Sequence, residues 1–166
     1  MGVNTLTPGQ PLLVRGLQVV PTGSPAGLSG TGRVKLHAHA IYSFTSDGGA
    51  ISTITPKQTA FIPANAVLMD GMVNVTTQCA DSASGTATVS VGVSNTLVSG
   101  TNTTCILGVS GGAIANLTTD ALIRSLCNTT PVKTSTSGYL TVTIATHALS
   151  AGVIEIDQDY YVTTNA

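Results

Sequence analysis

Charge is what this chain has least of. Only 13 of its 166 residues are Asp, Glu, Lys or Arg, 8 % against about a quarter in an ordinary globular domain. The shortage bears on function, because acid–base and nucleophilic chemistry needs carboxylates, imidazoles and amines brought together. Here they are few and scattered, which argues against an enzyme. A net charge of −1 leaves no electrostatic footprint for nucleic acid. The six basic residues, Arg15, Arg33, Lys35, Lys57, Arg124 and Lys133, are dispersed except for Arg33 and Lys35, a pair that reads as a solvated strand end. Trp is absent, and four Tyr and two Phe are the only aromatics, which leaves little for stacking a sugar ring. No run approaches the ~18–20 apolar residues of a membrane span. The start, Met1-Gly2-Val3-Asn4-Thr5-Leu6, has neither the basic n-region nor the apolar h-region of a signal peptide. Leu6 stands where myristoylation requires Ser or Thr. The expectation is a chain made in a cytoplasm, with no membrane and no nucleic acid as partner.

Cysteine is also scarce. Cys79, Cys105 and Cys127 are widely spaced, without the close-set His partners of a zinc site. An odd number without a secretion signal favours free, mostly buried thiols acting as small hydrophobes, with one disulfide plus one free Cys as the alternative. Four glycosylation sequons, at Asn74, Asn102, Asn116 and Asn128, follow from a Thr/Ser-rich composition and carry meaning only in a eukaryotic secretory route.

Hydroxyls take the place of charge. The chain holds 27 Thr and 15 Ser, and 42 % of it is hydrophobic, so it is neither disordered in composition nor short of core. A surface wetted by Thr and Ser can press against other subunits without stranding buried ions. Such a composition points to a component of an assembly.

Residues 1–34 differ from the rest. They contain Pro8, Pro11, Pro21 and Pro25, a run of glycines through Gly32, and two apolar patches, Leu12-Leu13-Val14 and Leu17-Gln18-Val19-Val20. Pro and Gly at this density block helix, and the patches suit an extended arm lying on a neighbouring subunit. Residues 35–166 form the expected folded domain. Leu36, Ala38, Ala40, Tyr42 and Phe44 alternate with His37, His39 and Ile41, the period of a strand, and Asp47-Gly48-Gly49 is a turn signal. Residues 51–55 resume an extended pattern. Residues 66–79 read as a long strand with Val67, Met69, Val73, Val75 and Cys79 on one face. Residues 86–93 place Ala87, Val89, Val91 and Val93 inward. Residues 94–104 read as loop and 105–109 as a short buried strand. Residues 118–127 are the one plausible helix, with Leu122, Ile123 and Leu126 on a face and Thr118 or Thr119 as cap. Residues 139–146 turn Leu140, Val142 and Ile144 inward. Ser150-Ala151-Gly152 then turns into 153–163, where Ile154, Ile156, Tyr160 and Val162 oppose Glu155, Asp157, Asp159 and Tyr161. About seven strands by the criteria for strand signals, with one short helix, make an all-β chain: an antiparallel β-sandwich or jelly roll.

Candidate chemistry is thin. Gly108-Val109-Ser110-Gly111-Gly112, followed by Asp120 and His147, has the letters and order of a hydrolase triad. That triad requires a strand–elbow–helix in a parallel sheet, and a Gly-rich loop explains the letters better. His37 and His39 share a strand face as metal ligands can, but two histidines on a wet face are commoner. Glu155, Asp157 and Asp159 form an acidic stripe that suits Ca²⁺ or glycoside hydrolysis and is more simply the solvated face of an edge strand. Gly27-Leu28-Ser29-Gly30-Thr31-Gly32 has the wrong spacing for a phosphate loop. No catalytic, cofactor-binding or metal-ligating residue is assigned.

The segment Tyr42-Ser43-Phe44-Thr45-Ser46-Asp47-Gly48-Gly49-Ala50-Ile51-Ser52-Thr53-Ile54 resembles a recurring stretch of small tailed-phage virion proteins. So does Ile62-Pro63-Ala64-Asn65-Ala66-Val67-Leu68-Met69-Asp70-Gly71-Met72-Val73-Asn74-Val75. Residues 85–92, 140–146 and 152–161 continue the likeness, which covers about 40–162, while the region from Cys79 to Cys127 departs from the pattern. The resemblance implies a β-sandwich cement or decoration protein on the outer surface of a phage capsid. It would be a homotrimer bound to the major capsid protein, without cofactors or catalytic residues. A head-fibre or tail-associated module that binds a host surface glycan is the alternative, and the shortage of aromatics weighs against it.

Overall fold

A computed structural model describes residues 34–82 and 85–163, together with the backbone of Leu13–Val14 and Leu17–Gln18. The chain divides into two compact units, Met1–Gly32 and Arg33–Ala166. In the first, β1 (Leu13–Val14) and β2 (Leu17–Gln18) pair antiparallel, Leu13 opposite Gln18 and Val14 opposite Leu17. The two apolar patches therefore contain the strands of a short hairpin. The rest of the expected arm, with Arg15 and Arg33, lies outside the described residues.

The second unit is an antiparallel sandwich of two sheets around one core. β3 (Leu36–Ser43) leads into a four-residue helix, α1 (Phe44–Asp47), and then into the two-residue strands β4 (Thr53–Ile54), β5 (Gln58–Thr59) and β6 (Phe61–Ile62). The long β7 (Ala66–Asp81) is followed by β8 (Thr88–Val93), β9 (Ala121–Arg124), β10 (Val132–Lys133), β11 (Gly138–Ala145) and β12 (Leu149–Val162). The larger sheet runs β10-β7-β12-β3-β5, with β9 also on β7; in the smaller, β11 pairs with β8, β4 and β6. The all-β sandwich expected from the sequence is what forms.

The alternating rows explain the core. Ala38, Ala40 and Tyr42 of β3 and Ile154 and Ile156 of β12 face Val89, Val91 and Val93 of β8 and Leu140, Val142 and Ile144 of β11, all buried. Removing one such branched side chain leaves a cavity costing about 2–5 kcal/mol. The Tyr42 hydroxyl donates to the Gly48 carbonyl at 2.7 Å, which satisfies the polar end of the largest core ring. Gly48 has φ +83°, so the Asp47-Gly48-Gly49 signal marks the end of α1. Phe44, expected at the inward end of the strand, opens that helix and packs partly buried against the core.

β7 departs from its expected pattern. Ala66 and Leu68 are buried at its start, then Val73, Val75 and Cys79, while Met69 is exposed. The register gives the reason: Tyr160 pairs with Leu68 and Gln158 with Gly71, so β7 has one more residue than β12 in that interval. A one-residue bulge turns every later side chain to the opposite face. Gly71 sits in the bulge because a Cβ there would lie 2.5 Å from the Asp157 carbonyl oxygen and 2.8 Å from Gln158 Oε1. Gln158 is fully buried and closes the irregularity. Its Nε2 donates to the carbonyls of Asp70 (2.8 Å) and Asp159 (3.0 Å), and its Oε1 accepts from Ser125 Oγ at 2.9 Å.

Four other expectations are corrected. Residues 118–127 are not a helix: Ala121–Arg124 is strand β9, with Ala121 opposite Val75 and Arg124 opposite Met72, followed by a 3-10 turn at Leu126–Asn128. An isolated helix of ten residues is marginal in water, whereas the open edge of β7 supplies a partner for every second backbone group. Asp120 enters the strand at φ +65°, and Ser125 caps the 3-10 turn by accepting from the Cys127 N–H. The turn placed at 150–152 lies earlier, where Thr146 has φ +70°. Gly152 is within β12, where a Cβ would lie 2.6 Å from Cys79 Sγ, and the register with β7 is irregular on both sides of it. Residues 105–109 make only a single bridge, Leu107 to Val91, although Ile106 and Leu107 are buried as expected. Val162, expected inward, is exposed.

Replacing Gln158 with Leu is expected to lower unfolding free energy by about 2–4 kcal/mol, since the Asp70 carbonyl and Ser125 hydroxyl lose their partner in the interior. Gly71→Ala is expected to destabilise similarly through the clash with the Asp157 carbonyl. Urea denaturation followed by circular dichroism measures both, and near-wild-type midpoints would show that the bulge does not depend on them.

Candidate functional site

The wet face of the larger sheet gathers the ionisable side chains. With Ala38 and Ala40 inward, His37 and His39 face out; with Ile154 and Ile156 inward, so do Glu155, Asp157 and Asp159. The antiparallel register sets Asp159 opposite His37, Asp157 opposite His39, Glu155 opposite Asn74 and Arg124 opposite Met72. The His37 ring lies between two carboxylates, Nδ1 3.0 Å from Asp159 Oδ1 and Nε2 2.9 Å from Asp157 Oδ1. Lys35 Nζ reaches Asp159 Oδ2 at 2.5 Å, and Asn74 donates to Glu155 at 3.3 Å. A hollow of about 320 Å³ is lined by His37, Asp70, Gly71, Met72, Arg124, Asp157 and Asp159.

The electrostatics follow from this geometry. The hydrogen bond to Asp159 raises the His37 pKa above its ordinary 6.5, with that to Asp157 adding to it against partial burial. Burial pushes the Asp159 carboxyl up, but hydrogen bonds from Lys35 and His37 outweigh it and hold the group below 3.8. Lys35 is raised by the same bond to Asp159. A doubly held imidazolium donates from both nitrogens and has no lone pair for a metal or for taking a proton. The cluster therefore ties the start of β3 to β12.

The acidic stripe is not on an edge strand as expected. β12 lies between β7 and β3, and its carboxylates are spaced by the pleat and neutralised across strands. Of the two histidines, His37 joins the cluster and His39 faces solvent. Among the described residues, no group of three His, Cys, Asp or Glu could hold a metal ion. Ser110, Asp120 and His147 are not brought together by any hydrogen bond among the described residues: His147 Nδ1 contacts Thr86 Oγ1 at 2.8 Å instead. Ser110 lies in a loop whose carbonyl accepts from Asn116, and the Asp120 N–H donates to the Val75 carbonyl.

Two further carboxylates organise turns. Asp47 accepts from the N–H groups of Ser43 and Lys57 at 2.9 and 3.0 Å. Asp81 accepts from those of Gly85, Thr86 and Ala87 at 2.9–3.0 Å.

The smaller sheet contrasts with this face. β4, β6, β8 and β11 contain no Asp, Glu, Lys, Arg or His at all. Leu140, Val142 and Ile144 point inward, which leaves Tyr139 and Thr143 on the outer side of β11. Phe61 and Tyr139 pair edge to face there, ring centroids 5.8 Å apart at 74°, with Phe61 54 % and Tyr139 43 % exposed. Thr53 and Thr143 share a hydroxyl contact of 2.9 Å. Over β8 lies the loop of residues 94–104, whose Asn102 carbonyl is so close to Gly92 that no Cβ fits between them. Sequence reading had missed this uncharged sheet, although the run of charge-free strands was there to be noticed. It had also missed Lys35, Asp70 and Arg124 as neighbours of the acidic stripe, which no local pattern signals.

No family model matches the chain, and no curated protein matches it. Among solved structures it is similar to a chain of the cyanophage Pam1 capsid asymmetric unit, with TM-score 0.50 and 16 % identity, over 95 % of this chain and 100 % of that one. It is also similar to a chain of the acidic stable capsid of Helicobacter pylori bacteriophage KHP30, with TM-score 0.50 and 14 % identity, over 79 % and 90 % of the two chains. At these identities the likeness is one of fold.

The cluster should make stability pH-dependent. His37 has its pKa raised on folding, so its contribution is complete below about pH 6.5 and is lost as pH rises through the folded value. Asp159 has its pKa depressed, so its contribution is present above about pH 3.8 and is lost as pH falls through the folded value. His37 is about half exposed and Asp159 still reaches solvent, so solvent screens both and each effect should stay near or below about 1 kcal/mol. Urea midpoints of wild type and His37→Gln, compared at pH 5.5 and pH 9, should differ more at the lower pH. An equal difference at both would remove the imidazolium from the account.

Proposed function

We propose that the chain is a structural, non-catalytic subunit of a phage particle. It is a cement or decoration protein on the outer capsid surface that binds neighbouring major capsid subunits as a homotrimer. The observation that carries this reading is the unequal division of charge between the two sheets. An interface laid over the exposed part of the smaller sheet desolvates Thr53, Thr143, Phe61 and Tyr139 but no ion, which avoids the several kcal/mol that burying an unpaired charge costs. The larger sheet, with Lys35, His37, Asp70, Arg124, Glu155, Asp157 and Asp159, is suited to remain in water. The fold shared with chains of two phage capsids supports the assignment, and the likeness to the Pam1 chain spans nearly the whole of both molecules. Residues 1–34 act as a second anchor on the adjoining subunit. The glycan-binding alternative finds less support: the exposed Phe61 and Tyr139 rings stand at 74° to each other and do not form one flat platform on which a sugar stacks.

A subunit that binds only the assembled shell raises its resistance to heat by its binding free energy. Contacts worth a few kcal/mol each act over every repeated copy, on the logic of linked binding sites. Stripping the protein from particles and adding it back should raise the temperature of genome release, and the gain should persist at high salt because few charges are available to screen. Tyr139→Glu should weaken binding at least about tenfold by burying a charge, while Gln58→Glu on the larger sheet should leave it unchanged. An unchanged release temperature on add-back would remove cementing as the function. A steep loss of binding with salt, or full binding by Tyr139→Glu, would show that a different face docks.

A further inference from the structure

Cys105 follows the loop that lies over β8, and Cys127 lies in the 3-10 turn after β9. The Leu126 N–H donates to the Ile106 carbonyl at 2.8 Å, which brings the backbones beside the two cysteines together. Cys127 Sγ lies 3.3 Å from the Cys105 carbonyl oxygen, and Cys105 Sγ lies 3.3 Å from that of Asn102. The two thiols also interact directly with each other, so their sulfurs are neighbours, as a disulfide requires. Cys127 is buried, and Cys105 is half-buried at the wall of a hollow of about 260 Å³ formed with Gly100, Thr101, Thr104, Leu126 and Thr130. The third thiol, Cys79, is buried beneath Gly152.

We propose that Cys105 and Cys127 are a latent disulfide, open in a reducing cytoplasm and closed by a peroxide-class oxidant entering through this hollow, which Cys105 and Leu126 line and from which the fully buried Cys127 is one residue removed. A hydrogen bond from the Cys105 thiol holds the Cys127 thiol below its ordinary range, while the same bond and burial push Cys105 up, so Cys127 is the sulfur that ionises first. Its thiolate attacks one peroxide oxygen, the O–O bond breaks, and the sulfur is oxidised to a sulfenic acid as hydroxide leaves and takes a proton to become water. The Cys105 sulfur, giving up its proton, then attacks the sulfenic sulfur; the S–S bond forms, the S–O bond breaks, and a second water departs. Two thiols and one peroxide thus yield one disulfide and two waters. Burial pushes the Cys79 thiol up to about 11, which keeps it out of this chemistry. The closed bond staples the segment that carries β9 and the loop at 108–112, and so secures the edge of the larger sheet.

The test is to treat the full-length protein with one equivalent of hydrogen peroxide, unfold it, alkylate free thiols, and map peptides by mass spectrometry. The expected result is loss of the mass of two hydrogens, a 105–127 linkage, and one alkylated residue, Cys79, with full reversal by dithiothreitol. Cys79→Ser should still close the bond, and Cys105→Ser should not. Closing a loop of this length should raise the melting temperature by roughly 5–10 °C. Three alkylated thiols, a linkage to Cys79 or between chains, or sulfinic acid at Cys127 would overturn the proposal, and a bond that leaves melting unchanged would overturn its role as a staple.

Discussion

The pairing of β7 with β12 decides where the other parts of the second unit stand. Both strands are long and lie in the middle of the larger sheet, so their register sets which side chains meet across it. The bulge before Gly71 lets β7 bury Leu68 and then Val73 and Val75, although these positions differ in parity. Without it, one half of the strand would turn apolar groups to water and polar groups to the core. Gln158 stabilises the irregularity by satisfying the backbone that the bulge displaces, and through Ser125 it ties β7 to the turn after β9. A buried, fully bonded amide fixes one register where an apolar residue would tolerate several.

That register also determines the use made of scarce charge. Asp159 meets His37 because β12 and β3 align there, and Lys35 closes on the same carboxylate. Asp47 and Asp81 gather backbone N–H groups at turns. Charge that organises turns and one wet face leaves the strands of the other sheet free of ions. Under the proposed function, that division keeps one side of the molecule in water and leaves the other able to press against protein. Dispersed charges would impose a desolvation penalty wherever it docked.

The rows Ala87–Val93 and Leu140–Ile144 were legible in the sequence because each stays in one register, with its large apolar residues at alternate positions on the core side, and so was the all-β class. The reading failed where tertiary context overrode a local pattern. Leu122, Ile123 and Leu126 fit a helical face, but a free strand edge captured 121–124. A bulge is invisible to a period-two count, so Met69 was placed inward although it is exposed. Gln158 stands in an otherwise apolar alternating row, and a polar residue at that position was a signal that could have been taken as a buried hydrogen-bonding site. The cluster around His37 joins residues about 120 positions apart, and only strand order reveals it.

The most direct measurement is an image of the intact particle at a resolution sufficient to dock this fold. The account predicts threefold density outside the capsid lattice, in contact with neighbouring major capsid subunits through the smaller sheet, with the His37–Asp159 face toward solvent. Density confined to the tail or a fibre tip, or particles that contain none of the protein, would contradict it.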